Sequence, residues 1–314
     1  MEERIVTAAD QVMSASEIRA RVLMPDAIEA IRAMLREVAA GNFTMPPRLH
    51  LGDGRVLVMT AYHRPTGAAA VKTLSVEFDR TPAITGTVLW TDPAQRWVAD
   101  AEAITTIRTG AIVGAATDVL AGPHASVLVL LGTGGQAADQ VRAVQAVRPL
   151  TALTVFDLDP ARAESFAEAM AAELPGVRVR IAGRVADALA DAEIVCCATP
   201  SSTPLFPLQA LPPQVHVNAI GSFRPTMREL PDELIATADL VVVEHLPAAM
   251  SEAGEIIHAL NRGSRPRGEI QELAPLLGTR PETTGRTVFK TVGIAAQDWA
   301  IARLLAHQSV AASA

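Results

Sequence analysis

The sequence predicts an α/β protein in which a parallel sheet, covered on both faces, is inserted between two stretches of a second, α+β domain. Three observations predict it. From His124 onward, short apolar runs alternate with helical stretches over short links, the pattern of parallel strands joined by crossover helices. Before that, from Arg48 to Leu89, β-like runs are split by Gly and Pro, as in an antiparallel or mixed sheet. After the last apolar run the tail, residues 292–307, is helical again. Residues 1–113 and 292–314 are thus expected to form one domain and residues 114–291 the other.

Each element has its own signal. Residues 16–40 carry apolar positions at helical spacing, and Pro25 divides them into a short helix and a longer one from Asp26. Residues 55–61, 69–76 and 84–90 read as strands, and residues 104–120 as a long helix rich in Ala and Thr. In the second texture, residues 127–131 form a wholly apolar strand, 132–135 a tight turn and 137–147 a helix. A strand at 151–156 and a helix at 160–174 follow, then strands at 177–181, 194–198, 215–220 and 240–244.

The chain has 314 residues, 49% apolar and 19% charged, with a mean hydropathy of +0.25. Such a chain buries a sizeable core, and disorder is excluded. The 27 basic and 34 acidic residues give a net charge of −7. No excess of cations is available to displace counterions, which excludes a nucleic-acid binder on bulk electrostatics. Cys196 and Cys197 are neighbours in an apolar run, so they point to opposite faces and read as small buried hydrophobes. No disulfide framework is present, which fits a reducing compartment. The Met1-Glu-Glu-Arg start is unlike a signal peptide, and no apolar run approaches a membrane span. The expectation is a soluble, cytoplasmic protein with no membrane partner.

The run ending in Leu131 leads into Gly132-Thr-Gly134-Gly135-Gln136-Ala137, a Gly-x-Gly-x-x-Ala turn between strand and helix. Gly132 allows the tight turn, Gly134 lets a pyrophosphate approach the backbone, and Ala137 lets the helix pack closely on the strand. Asp157 ends the next strand, 25 residues beyond Gly132. Together they point to a Rossmann dinucleotide-binding domain rather than a merely structural turn. Asp157 suits a ribose 2′-hydroxyl and repels a 2′-phosphate, and Leu158 stands where NADP enzymes often place Arg. NAD(H) is favoured. Arg162 lies near enough in sequence to keep NADP(H) open. The competing role for Asp157, a helix cap, falls better to Asp159 before Pro160.

The cofactor loop names no substrate. Arg108 is a single cation among Thr, Ala and Ile on a helix, and Arg48 follows the stiff Pro46-Pro47 pair. Lys72 interrupts an apolar strand, where a lysine is more often an edge or snorkelling residue. His50 and His63 show no ligand spacing. Glu252 and Glu255, flanking Gly254, read as a solvated helix or turn rather than a metal pair. Trp90, Trp97 and Trp299 read as packing residues.

As an ordered set these segments resemble the ornithine cyclodeaminase/mu-crystallin family. The matching motifs are Arg108-Thr-Gly-Ala, Gly132-Thr-Gly-Gly-Gln, Ala198-Thr199-Pro200-Ser201 and Asn218-Ala-Ile-Gly221 with Arg228-Glu229-Leu230. Glu252-Ala-Gly254-Glu255 and Lys290-Thr-Val-Gly293 with Gln297-Asp298 complete them. The resemblance implies a Rossmann domain plus a split domain that binds an α-amino or α-imino acid and forms a homodimer. It implies that Arg48 and Lys72 hold the substrate carboxylate, with Arg108 close to both substrate and nicotinamide. It places Thr87, Gly135, Gln136, Asp157, Thr199, Gly221 and Thr291 along the cofactor.

One position departs from the pattern. Cyclodeaminases and related alanine dehydrogenases carry an Asp shortly after the Asn-Ala-Ile-Gly turn, and here Phe223 stands in its place. The Gly-Ser-Phe-Arg-Pro stretch is more similar to the ketimine reductase branch. The expected reaction is therefore reduction of Δ1-pyrroline-2-carboxylate to proline, with Δ1-piperideine-2-carboxylate as a second substrate. Solvent can protonate the imine before it binds; if an acid is needed, Lys72, desolvated between two arginines, is the candidate. The alternatives are an ornithine or lysine cyclodeaminase or an amino-acid dehydrogenase with a displaced base, for which Asp92 or Glu102 would have to substitute. A third is a cofactor-binding protein without catalysis.

Overall fold

The computed structural model describes residues 12–77, 82 and 84–311. The chain opens with α1 (Ala15–Arg21) and α2 (Met24–Ala39). Ser14 and Glu17 cap α1 reciprocally, and Pro25 sits in the first turn of α2, where its missing N–H costs nothing. Strands β1 (Phe43–Thr44), β2 (Leu49–Leu51), β3 (Val56–His63), β4 (Ala68–Val76), β5 (Ile84–Thr91) and β6 (Arg96–Asp100) form an antiparallel sheet of order β1-β3-β4-β5-β6, with β2 also on β3. On β4, Ala68, Ala70, Lys72, Leu74 and Val76 are buried and the alternate positions are not, so one face of this sheet is the core face.

Helix α3 (Ala101–Leu120) is capped by Asp100, whose carboxylate accepts the Ala103 amide at 2.8 Å. It is buried on every side, at 18 of its 20 residues, because it lies between the antiparallel sheet and the second sheet. The expected boundary between residues 113 and 114 falls inside this continuous helix.

The second half runs β7 (Val127–Leu131), α4 (Ala137–Val147), β8 (Ala152–Phe156), α5 (Pro160–Glu173), β9 (Arg178–Ile181), α6 (Val185–Leu189) and β10 (Ile194–Cys197). It continues through β11 (Val215–Ala219), α7 (Asp232–Thr237), β12 (Leu240–Val243), α8 (Leu246–Glu252), α9 (Gly254–Asn261), β13 (Ile270–Glu272), β14 (Arg286–Lys290) and α10 (Ala295–Ala311). All eight strands are parallel, in the order β13-β12-β14-β11-β10-β7-β8-β9. The order reverses between β7 and β10, and the crevice at such a switch point is where an open α/β sheet takes its ligand. Cys196 and Cys197 are free and fully buried on opposite faces of β10, each in a different apolar cluster.

Strand β14, a Thr-Val-Phe run of three between two charges that the sequence reading left unassigned, sits between β11 and β12. Charges bracket it, and folding satisfies both of them. Arg286 donates to the Leu211 and Pro212 carbonyls, and Lys290 to the carbonyls of Ala219 and Ser222. Among the described residues no helix is long and apolar enough to cross a membrane.

Candidate functional site

The dinucleotide crevice opens where the sheet order reverses. Gly132 has φ +94°, and a Cβ there would stand 2.7 Å from the Ala198 carbonyl oxygen on the neighbouring strand's loop. Asp157 binds this loop directly: Oδ2 accepts the Thr133 amide and hydroxyl at 2.7 Å each, and Oδ1 accepts the Asp159 amide at 3.0 Å. Burial pushes the Asp157 carboxyl up, but these bonds and Arg162 bring it below its ordinary range. Gly134 faces the Arg162 guanidinium, and Gly135 faces Glu102. Gln136 precedes α4 without capping it, and its Oε1 is buried with no partner. Leu158, 92% exposed, stands beside Asp157. Uncapped helix amides, an orphaned amide oxygen and a carboxylate at the next strand end suit the pyrophosphate and ribose of a nicotinamide dinucleotide. Asp159, as expected, is the residue that caps α5.

The opposite wall is held by one carboxylate. Glu229 Oε1 accepts the Thr199 amide and hydroxyl at 2.7 and 2.9 Å, and Oε2 accepts the Gly221 and Ser222 amides at 2.8 and 3.3 Å. The loops after β10 and β11 are thereby clasped together, with Thr199 and Gly221 side by side. Burial pushes the Glu229 carboxyl up and Lys290 draws it back. Behind it, Glu255 accepts the Glu229 amide at 2.7 Å and the Ser222 hydroxyl. Lys290 Nζ lies 3.7 Å from Glu255.

A second cluster gathers at the carboxyl ends of β11 and β14, where the Thr291 amide meets the Ala219 carbonyl at 3.2 Å. Lys72 Nζ donates to Asp298 Oδ1 at 2.7 Å and Thr105 Oγ1 at 3.3 Å. Arg108 Nη1 donates to Gln297 Oε1 at 2.8 Å, and its Nε lies 3.5 Å from Asp298 Oδ1. The Thr291–Gly293 turn is the seat of both arginines. Glu244 Oε1 takes the Thr291 hydroxyl and the Val292 and Gly293 amides, while Arg48 Nη2 donates to the Val292 and Gly293 carbonyls at 3.0 and 2.6 Å. Gly293 has φ +80°, and a Cβ there would stand 2.4 Å from Arg108 Nη1. Arg48 Nη2 also lies 2.7 Å from Glu252 Oε2, a charge contact, since its N–H groups are directed at the carbonyls. Burial pushes Glu252 above the usual carboxylate range, against the pull of Arg48.

Several expectations change here. Lys72 is neither at an edge nor snorkelling: β4 lies between β3 and β5, and the residue is 1% exposed. Burial, opposed by Asp298 and assisted by Arg108 and Arg48, lowers its pKa to about 8. Glu255 is not solvated but fully buried beside Lys290, and Glu252 is half-buried against Arg48. Thr87, expected along the cofactor, lies on the outer face of the sheet, 3.3 Å from Thr73 and paired with Asp100 at the start of α3, whereas Lys72 pairs with the inward Val88. Asp92 caps its own turn and binds the Trp90 indole, and Glu102 faces the glycine loop, so neither stands in for the missing Asp. Phe223 packs against the apolar cluster below the parallel sheet, with the Arg224 guanidinium 5.4 Å above its ring. The motifs named Glu229, Gln297 and Asp298 without giving them a role, and Glu244 was missed altogether. Glu244 ends a wholly apolar strand run, and a carboxylate in that place is the signal that could have found it.

The sheet, the switch-point crevice and a buried cation cluster beside it define a dinucleotide-dependent protein of the two-domain α/β class. The chain belongs to the ornithine cyclodeaminase/mu-crystallin family, whose profile matches residues 8–313. It is 32% identical over 317 residues to a Δ1-pyrroline-2-carboxylate reductase of Bacillus cereus, covering 95% of this chain and 96% of that one. It is 31% identical to an L-lysine cyclodeaminase of Streptomyces rapamycinicus over 95% and 90% of the two chains. The structure superposes with a TM-score of 0.89 on the Δ1-pyrroline-2-carboxylate reductase of Thermococcus litoralis, solved in complex with NADH and L-proline. That match is 27% identical and covers 96% of this chain and 98% of the other.

Proposed function

We propose that this protein is an NADH-dependent reductase of small cyclic ketimines, taking Δ1-pyrroline-2-carboxylate to proline and Δ1-piperideine-2-carboxylate to pipecolate. The observation that carries this reading is the convergence of Arg48, Lys72 and Arg108 beside the dinucleotide crevice, with Phe223 where an amine-handling carboxylate would stand. Reduced nicotinamide, when bound, supplies the hydride. Arg48 and Arg108 are the carboxylate ligands, since planar guanidiniums fix a carboxylate's orientation and hence the face of the C=N bond presented. Lys72, with one of its three N–H groups unspent, donates the proton to the ring nitrogen. Gly132, Gly134, Gly135, Gln136, Asp157, Thr199, Gly221 and Thr291 line the dinucleotide, and Asp157 favours NADH over NADPH.

On this reading residues 1–113 and 292–314 bind substrate and residues 114–291 bind the dinucleotide, with α3 as the shared spine. The outer face of β3–β5 supports a homodimer of this cytoplasmic protein. It presents Thr60, Tyr62, Val71, Thr73, Thr87 and Leu89 with no charged side chain among them. An uncharged face of this kind, with Tyr62 and Leu89 exposed on it, suits contact with a second copy.

The test is NADH and NADPH oxidation with Δ1-pyrroline-2-carboxylate generated in situ, beside ornithine or lysine plus NAD with ammonia detection. Fast NADH oxidation without ammonia is expected. Ammonia from ornithine or lysine with sluggish imine reduction would overturn the reading in favour of a cyclodeaminase.

A further inference from the structure

The chain holds 27 basic residues, and only two of them, Lys72 and Lys290, are lysines. Both are buried, at 1% and 0% exposure. Lys290 spends its ammonium on Ala219, Ser222 and Glu255. Lys72 has a strong partner in Asp298, across the gap between β4 and α10, and a weaker one in Thr105. Asp298 stands in the first turn of α10, where the helix dipole favours a carboxylate. Its Oδ1 is shared between Lys72 and Arg108, and its Oδ2 is buried with no hydrogen-bond partner. Gln297, the residue before it, holds the far end of Arg108.

We propose that Asp298 is the positioning residue of this site: it spaces Lys72 and Arg108 and keeps Lys72 a cation able to hand its proton to the substrate nitrogen. The proposal rests on the reductase reading above. In the step it supports, the Lys72 Nζ–H bond breaks, the ring nitrogen takes the proton and Lys72 is left as a neutral amine. Water then returns the proton.

The charge balance around Lys72 gives Asp298 this weight. Arg108 faces it from α3 and Arg48 from the segment before β2, and both disfavour a third cation. Its strand neighbours Met59 and Val88 are uncharged. Burial acts in the same direction as the arginines. Asp298 alone opposes them, by charge and by hydrogen bond, and the balance falls at about pH 8. Lysine is the cation whose charge burial can switch, while arginine keeps its own, and among the described residues lysine stands at the two most buried of the Lys and Arg positions.

The experiment uses full-length protein carrying 13C-labelled lysine, which gives two sets of side-chain signals; Lys72→Met assigns them. In the wild type the Lys72 Cε signal is expected to titrate near pH 8. In Asp298→Asn the midpoint falls by at least one pH unit, the Lys290 signal holds, and the basic limb of kcat/KM for the imine moves down by the same amount. Asp298→Glu returns both toward the wild type. An unmoved Lys72 midpoint in Asp298→Asn overturns the proposal, even if activity falls. Should that variant not fold, the Asp298 carboxyl carbon of the wild type must step at the same pH as Lys72; a carboxyl insensitive there overturns it equally. The titration needs no turnover, so a wild type inactive on the imine refutes the reductase reading separately.

Discussion

Lys72 and Asp298 lie 226 residues apart and meet in a 2.7 Å ion pair in which neither side chain is more than 2% exposed. The pair joins the middle of the antiparallel sheet to the last helix, so the proposed proton donor sits at the closure of the split domain. A buried pair of this kind is weak evidence for stability, because desolvation offsets the attraction. It is better evidence for a site.

Replacing Lys72 by Met removes the proposed acid. We expect the single-turnover rate of imine reduction to fall by about 10²- to 10⁴-fold, the usual worth of general acid catalysis. A variant that keeps the chemical rate and only weakens substrate binding makes Lys72 a carboxylate ligand instead.

Gly293→Ala drives a methyl group into the Arg108 guanidinium at a positive φ. Strain of roughly 1–3 kcal/mol is expected from the backbone alone. The displaced guanidinium should raise KM for the imine more than it lowers Tm. Unchanged KM would separate Arg108 from substrate binding.

Glu229→Gln keeps the shape of the clasp but removes its charge and one acceptor. The amides of Thr199 and Gly221 then share a single carbonyl oxygen, at a cost of about 1–3 kcal/mol. NADH affinity, read by nicotinamide fluorescence, should weaken roughly five- to a hundredfold by the same figure, while the rate at saturating NADH changes little. An unaltered NADH Kd would show that the two loops do not need the clasp.

His216 is buried between Thr287 and Asn218, and burial lowers its pKa from 6.5 to about 4. The unfolded chain binds the proton more readily, so stability is complete above pH 6.5 and is lost as pH falls toward 4. The loss attributable to this residue is about 3 kcal/mol. Urea midpoints measured at pH 7 and pH 4.5 should differ more in the wild type than in His216→Asn. Equal slopes would assign the acid sensitivity elsewhere.

Leu89→Asp places a charge on the outer sheet face, where Leu89 is 41% exposed. If that face holds a second copy, sedimentation should show the variant as monomer and the wild type as dimer. A wild type that sediments as monomer rejects the homodimer, and a variant that remains dimeric moves the interface to another face.

Residue order was enough to show the parallel sheet, the glycine turn with Asp157 and the return of the tail to the first domain. Those signals are local: an apolar run bounded by turn residues, a glycine between strand and helix, a change of period. It also supplied Arg48, Lys72 and Arg108 and the absence of a carboxylate at Phe223, because residue order carries a motif without knowledge of its partners. That Lys72 is a buried cation rather than a snorkelling one emerges from the fold alone, since it depends on the strands at its sides and a carboxylate 226 residues away. The fold alone placed β14 in the middle of the sheet, by satisfying the charges at its two ends. Glu229, Glu244, Glu252 and Glu255 look like surface acids in one dimension. Each became structural because folding brought a loop of unpaired amides or a buried cation within reach of its oxygens, and burial makes such groups costly unless they are met.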